Sequence, residues 1–360
     1  MLPARPGIHA FTLAAPGILG NRDAAASVTG AATTGPVALR ACYRAVMDLV
    51  QLAPSVYACL QEDRGLGCSN SGLVSRAGGL VVDTFWDLPH TRELVATYAR
   101  VTDEPARRVV NTHHNGDHCW GNQLFRDAEI IGHRACAAAF GHDAAPAMLQ
   151  GMKALAGGDD PALAAFAAAL APWDFRGIEL TPPTTVLDDR LDLDLDGIAV
   201  ELLYVGPAHT AGDVIVHLPA QRIVFTGDVL FRRCTPIGWE GTYAKWIEAL
   251  DRVIALAPDV VVPGHGPICG VEGPREMKAY LEYVRGESRR FFAAGLSTLD
   301  AAKRLDLGPY ARWTEPERLL FNVERAYREF RGEPFDAPID AMAIFRGMHE
   351  LRAALRPAAA

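Results

Sequence analysis

Six consecutive residues, His113-His114-Asn115-Gly116-Asp117-His118, carry three imidazoles, a carboxylate and a carboxamide. Imidazole nitrogen and carboxylate oxygen are the donors that zinc and iron favour, and a short loop turned by Gly116 can aim several of them at one point. Metal binding is therefore the first chemistry this chain suggests. Three more candidates lie downstream: His209 on the turn Gly206-Pro207-Ala208-His209-Thr210, Asp228 after Val224-Phe225-Thr226-Gly227, and His265 after Val261-Val262-Pro263-Gly264. A lone histidine is more often a turn or core residue than a ligand. Several such groups, each closing an apolar run, reverse those odds. His114 should point away from its neighbours, His133 reads as an ordinary strand-end residue, and Cys119 reads as a small buried side chain.

The elements that must carry these groups are short and β-branched. Leu80-Val81-Val82 precedes Asp83 and Arg108-Val109-Val110 precedes the histidine loop, so strands should deliver the ligands to a common rim. Strands and helices alternate from Pro54 to about Gly273. Within that span Tyr243, Trp246, Ile247, Leu250, Val253 and Ile254 recur at helical spacing, one apolar face for a sheet. The Ala-rich stretch Ala144 to Ala171 predicts two helices hinged at Gly157-Gly158, a helical insertion over about 143–172. Residues 1–53, rich in Ala, Gly and Thr, read as an N-terminal extension that ends in a helix from Leu39 to Leu52. The chain thus divides into 1–53, a central domain over 54–273 and a helical region over 274–360. That last region predicts helices over Pro274 to Ala294 and Leu299 to Leu305, then one opened by a capping box, Thr314-x-x-Glu317.

Composition bounds the function. A chain of 360 residues, 49% hydrophobic and 22% charged, can bury a large core, and its net charge of -8 without a Lys/Arg block leaves no nucleic-acid footprint. No apolar run is long enough to span a bilayer, and Met1-Leu2-Pro3-Ala4-Arg5-Pro6 makes a poor secretory signal. Seven cysteines without paired spacing suit a reducing compartment. A cytoplasmic enzyme acting on a small molecule, with neither membrane nor nucleic acid as partner, is the expectation.

With its gaps, the loop is His113-x-Asn115-x-Asp117-His118, which resembles the His-x-His-x-Asp-His signature of the metallo-β-lactamase superfamily with Asn in place of the second His. Asp83, His209, Asp228 and His265 follow the order of that family's other motifs between Leu80 and Gly266. The resemblance implies an α/β fold, a four-layer αβ/βα sandwich with added helices. It also implies a first metal site of His113, Asn115 and His209, and a second of Asp117, His118 and His265. Asp228 is shared between the two, and Asp83 is structural. Asn115 offers only a neutral amide oxygen, a weaker donor to zinc. Three arrangements stay open: two ions of unequal affinity, one ion at the second site, or one ion held by His113, His209 and Asp228. The last is the facial set of non-heme iron oxygenases.

The implied cofactor is Zn2+, one or two ions, with Fe or Mn as alternatives. The implied activity is hydrolysis, in which metal-bound hydroxide attacks an ester, thioester or lactone and Asp117 and Asp228 are the catalytic carboxylates. A mononuclear iron oxygenase resembling the persulfide dioxygenases, or a non-hydrolytic cyclase-like or lyase-like biosynthetic protein, are the alternatives. Arg232, Arg233 and Lys245 could bind a substrate carboxylate or simply be solvated. Met148, Met152, Leu155, Phe166 and Trp173 are candidates to wall an apolar pocket.

Overall fold

The β-branched runs form strands in a computed structural model that describes residues 47–62, 65–141, 145–238, 240–337 and 339–355. The chain divides into a unit of residues 1–44, outside the described residues, and a unit of residues 45–360. One seven-stranded sheet runs in chain order through β1 (Met47–Ala53), β2 (Val56–Gln61), β3 (Ser71–Val74), β4 (Leu80–Val82), β5 (Arg108–Val110), β6 (Glu129–His133) and β7 (Thr185–Leu187). Its first half is antiparallel and β4 to β7 are parallel. The second sheet has five strands: β8 (Arg190–Leu195), β9 (Ile198–Tyr204), β10 (Val214–Leu218), β11 (Ile223–Phe225) and β12 (Val260–Val262), with β11 and β12 parallel.

Alternation along the strands decides the layering. Leu80, Val82, Val110 and Ile131 of the first sheet share one apolar cluster with Val200, Leu202, Val214, Phe225 and Val262 of the second. The intervening residues point outward. Val81, Val109 and Ile130 pack against Leu94 and Tyr98 of α1 (Leu88–Tyr98), whereas Ile215, Val224 and Val261 pack beneath helices on the other side. This is the four-layer αβ/βα sandwich, with each fully buried Val or Leu stabilising it by on the order of 1.5–3 kcal/mol. Register gathers the strand ends: Val82 pairs with Val110 and Phe225 with Val262, so the loops after these strands leave each sheet side by side.

Short helices α2 (Gly116–Cys119) and α3 (Arg134–Ala139) follow β5 and β6. The Ala-rich insertion forms α4 (Pro146–Met152) and α5 (Pro161–Ala169), joined through a 3-10 turn over Lys153–Gly157. Beyond β11 come α6 (Tyr243–Ala255), α7 (Glu272–Ala293), α8 (Thr298–Arg304), α9 (Leu319–Arg331) and α10 (Ala341–Leu355). In α6 the periodic residues Tyr243, Trp246, Leu250 and Val253 are buried, as their spacing predicts.

Two expectations fail. The helix expected over Leu39 to Leu52 is a strand in its described part, because Met47–Ala53 folds back on β2 through the Pro54-Ser55 turn and gains a full ladder of partners. The sheet therefore begins before residue 54; residues below 47 lie outside the described ones. The capping box at Thr314 does not form either. The Glu317 carboxylate is buried and accepts from Arg352 of α10, and the Thr314 N–H donates to the Arg233 carbonyl. No helix of the described residues is long and apolar enough to cross a membrane.

Candidate metal centre

Each candidate ligand stands where a strand stops. Thr112 and His113 follow β5, Asp83 follows β4, Asp228 sits in a 3-10 turn after β11, His265 follows β12, and His209 lies between β9 and β10. These loops converge. Asp228 Oδ1 lies 3.1 Å from His118 Nε2 and 3.3 Å from His265 Nε2, while its Oδ2 lies 3.4 Å from His209 Nε2 and 3.8 Å from His113 Nε2. His265 Nε2 is also 3.3 Å from Asp117 Oδ2. Two groups bring their donor atoms within 4.8 Å of one another: Asp117, His118 and His265, and His113, His118 and Asp228. His114 belongs to neither group.

Glycine makes the approach possible at two points. Gly227 has a φ of +49°, and a Cβ there would strike the Thr112 side chain. A Cβ on Gly264 would fall on Asp228 Oδ1 and lie 2.6 Å from the Gly227 carbonyl carbon. Asp83 adopts a φ of 58°, rare for a residue with a Cβ, and this turns its carboxylate back onto the histidine loop. There it accepts from the Thr112 N–H (2.7 Å) and hydroxyl (2.7 Å) and from His118 Nδ1 (2.9 Å). His118 is thereby held with Nε2 facing the cluster.

The charges are arranged in pairs of opposite sign. Burial would lower the pKa of His265, but Asp228 and Asp117 outweigh it and raise it to about 9; the same carboxylates hold His118 well above its usual range. Burial would raise Asp228 and Asp117, yet the two imidazoles drive both carboxyls down, Asp228 well below the ordinary range. On the other side burial dominates and pushes His209 down to about 4 and His113 well below its normal value. One half of the cluster therefore holds protons at neutral pH and the other half holds lone pairs.

The donor set fits a metal ion. His113 Nε2 is buried and lacks a hydrogen-bond partner within the protein, an arrangement that costs free energy unless a cation supplies the missing interaction. Asn115 is placed beside this group, its Oδ1 2.7 Å from His209 Nε2, and His209 Nδ1 donates to the Ile237 carbonyl at 2.8 Å. Asp117, with 18% of its side chain exposed, is the ligand candidate most open to solvent.

Other candidates lie elsewhere. His133 caps α3 by accepting from the Ala135 N–H and stacks on Tyr204 at 3.8 Å. Cys119 is buried against the His114 and Asn115 carbonyls. Arg232 pairs with Glu276 and Lys245 with Glu248. Trp173 is buried with Trp86, Trp120 and Phe175, Phe166 packs on Phe345 of α10, and Leu155 is 42% exposed. Three contributors went unread in the sequence. Asp213 closes the His209 turn by accepting from the Ala208 and Thr210 N–H groups, a role that the polar spacing Thr210-x-x-Asp213 signals. Phe231 stacks on His265 at 5.1 Å and meets His209 edge-on, a contact made by tertiary pairing alone. Trp246 donates to the Val229 carbonyl and so braces the Asp228 turn.

The sequence model of the metallo-beta-lactamase superfamily matches residues 64–265. A linear primary-alkylsulfatase from Pseudomonas sp. is 24% identical over 298 residues, 72% of this chain and 56% of that one. A type 2 metallo-beta-lactamase from Bacteroides fragilis is 32% identical over 116 residues, 31% of this chain and 47% of that one. Among solved structures, a stereoselective inverting sec-alkylsulfatase from Pseudomonas sp. matches with a TM-score of 0.58 at 16% identity, covering 82% of this chain and 52% of that one. The chain spans about half the length of the relatives it matches.

Proposed function

The chain belongs to the metallo-beta-lactamase superfamily, and on that footing we propose that it is a metal-dependent hydrolase of a small ester-type substrate. The observation that carries this reading is the convergence of Asp117, His118, His265 and Asp228, two imidazoles and two carboxylates with Nε2 to carboxylate oxygen distances of 3.1–3.9 Å. These four would hold one ion; His113, His209 and Asn115 would hold a second, with Asp228 between them. A divalent ion bound there lowers the pKa of a water toward about 7 and polarises the bond to be cleaved. Asp117, ionised and the most exposed of the four, would accept a proton from that water and orient it. Asp228 would keep the imidazoles of the two halves at a fixed spacing. Zinc as the resident ion, a small-molecule substrate and a cytoplasmic location complete the reading; they rest on the imidazole-rich donor set, the acidic net charge and the cysteine usage respectively.

Carboxylic esters, thioesters and lactones suit this chemistry, and so does a sulfate ester. The sulfate ester is favoured by one observation: the alignment with the alkylsulfatase covers 72% of this chain, whereas the superfamily model stops at residue 265. The iron oxygenase reading would use His113, His209 and Asp228, whose Oδ2 lies 3.8 Å and 3.4 Å from the two imidazole nitrogens. The test is direct. Zinc-loaded protein should hydrolyse an aryl ester, a thioester, a lactone or an alkyl sulfate, and Asp228→Ala should cut turnover about 100-fold or more. Activity that requires iron and consumes dioxygen would overturn the assignment.

A further inference from the structure

Asn70, the residue before β3, is 3% exposed and its side-chain amide holds the loop that carries His265 on both sides. Its amide donates to the Pro263 carbonyl at 2.9 Å and to the Gly266 carbonyl at 2.8 Å. Its backbone N–H donates to the Gly264 carbonyl, also at 2.8 Å. The two preceding residues complete a clamp. His265 Nδ1 donates to the Cys68 carbonyl at 3.1 Å, which commits the ring proton to Nδ1 and leaves Nε2 to face Asp117 and Asp228. Ser69 Oγ donates to the Asp117 carbonyl at 2.5 Å.

We propose that Asn70 is a positioning residue for the second metal ion, fixing the His265 loop so that Nε2 meets Asp117 and Asp228 at bonding range. The inference rests on the hydrolase reading, in which Asp117, His118, His265 and Asp228 hold an ion. A primary amide is the side chain of this size that offers two donors in one plane, and both are spent on carbonyls flanking His265. The Asn70 Oδ1 has no hydrogen-bond partner within the protein, so the donors rather than the acceptor are what the site uses. The loop needs such a tie. Gly266 has a φ of +87° and would strike the Arg232 carbonyl with any Cβ, so the turn has been built for close approach rather than for local rigidity.

Asn70→Asp keeps the shape and turns both donors into acceptors facing carbonyl oxygens. Asn70→Ala removes both donors without adding charge, and carries the same test should the aspartate variant not fold. Cobalt(II) titration followed by visible absorption, with competition by a chelator, reads the two sites separately. Thermal melting of the metal-free proteins reports the fold. The expected result is a second-site dissociation constant weakened about 10–100-fold, with altered cobalt bands, while the first site changes less than about threefold. An unchanged second site overturns the proposal, and so does equal weakening of both sites, which would mark Asn70 as a general stabiliser. If the unmodified protein takes up no cobalt at His265, the metal reading itself fails, an outcome the unmodified control identifies before any variant is compared.

Discussion

Zinc affinity at the Asp117, His118, His265 and Asp228 set should rise steeply with pH, whereas affinity beside His209 should not. Imidazole binds a metal ion as the neutral ring, so a ligand that carries a proton must first release it. Asp228 and Asp117, working against burial, hold the His265 pKa at about 9. At pH 7 this costs about two pH units, on the order of 100-fold in affinity relative to pH above 9. His118, raised by the same carboxylates, adds a second proton, and the two titrate as a pair. The log affinity of this site should climb by about one to two units per pH unit, and the His265 contribution should fade above a pH of about 9. Burial places His209 at about 4, so its ring is neutral at pH 7 and its site should move less than about threefold. Chelator-competition titrations at several pH values, with calorimetry in buffers of different ionisation enthalpy, measure both slopes and the protons released. Equal slopes at the two sites, or metal uptake without proton release, would refute the reasoning.

Three substitutions probe the supports of the centre. Asp83→Asn removes the acceptor that holds His118 Nδ1 and the Thr112 hydroxyl, and should weaken the second site about 10–100-fold in the same titration. Gly264→Ala puts a methyl group on Asp228 Oδ1; it should abolish tight metal binding and lower the melting temperature, with overpacking costs of about 1–3 kcal/mol, and a variant that binds and melts normally would refute that steric reading. Asn115→His should tighten the first-site ion about 10–100-fold or more, while Asn115→Ala should change it less than about threefold; a larger loss in the alanine variant would make Asn115 a true ligand.

Strand ends were legible because a β-branched run followed by a polar or glycine-containing turn leaves few alternatives. Val109-Val110, Val224-Phe225 and Val261-Val262 are all strands, and the structure brings the groups that follow them to one rim. The helical face of Tyr243, Trp246, Leu250 and Val253 was equally readable, since 3.6-residue spacing of large apolar groups survives tertiary context. What was not legible depended on distant partners. Met47–Ala53 contains good helix formers and becomes a strand because β2 offers it a ladder. Glu317 has capping-box spacing, but Arg352 lies within reach and takes it. Asn70 works through three backbone carbonyls almost two hundred residues away, and no residue type announces where a carbonyl will point.

The departure at Asn115 gains meaning from the same kind of partner. His209 Nδ1 faces the Ile237 carbonyl, which can only accept, so the ring proton sits on Nδ1. Burial keeps the ring neutral, which leaves a lone pair on Nε2, 2.7 Å from the Asn115 amide. A lone pair is satisfied by an N–H and not by an oxygen. Turning the amide by 180° exchanges the two, and the hydrogen-bond network decides between them. An amide turned so that its N–H faces Nε2 would donate to His209, and the group that replaces an imidazole would then be a lid on the lone pair an ion needs. Metal entry would then have to break that bond, and the amide oxygen turned inward would repay little as a zinc donor. Asn115 would thus weaken the first site twice, as a poor ligand and as an internal competitor. Among the described residues, the carboxylate-rich second site would face no such competitor except the proton.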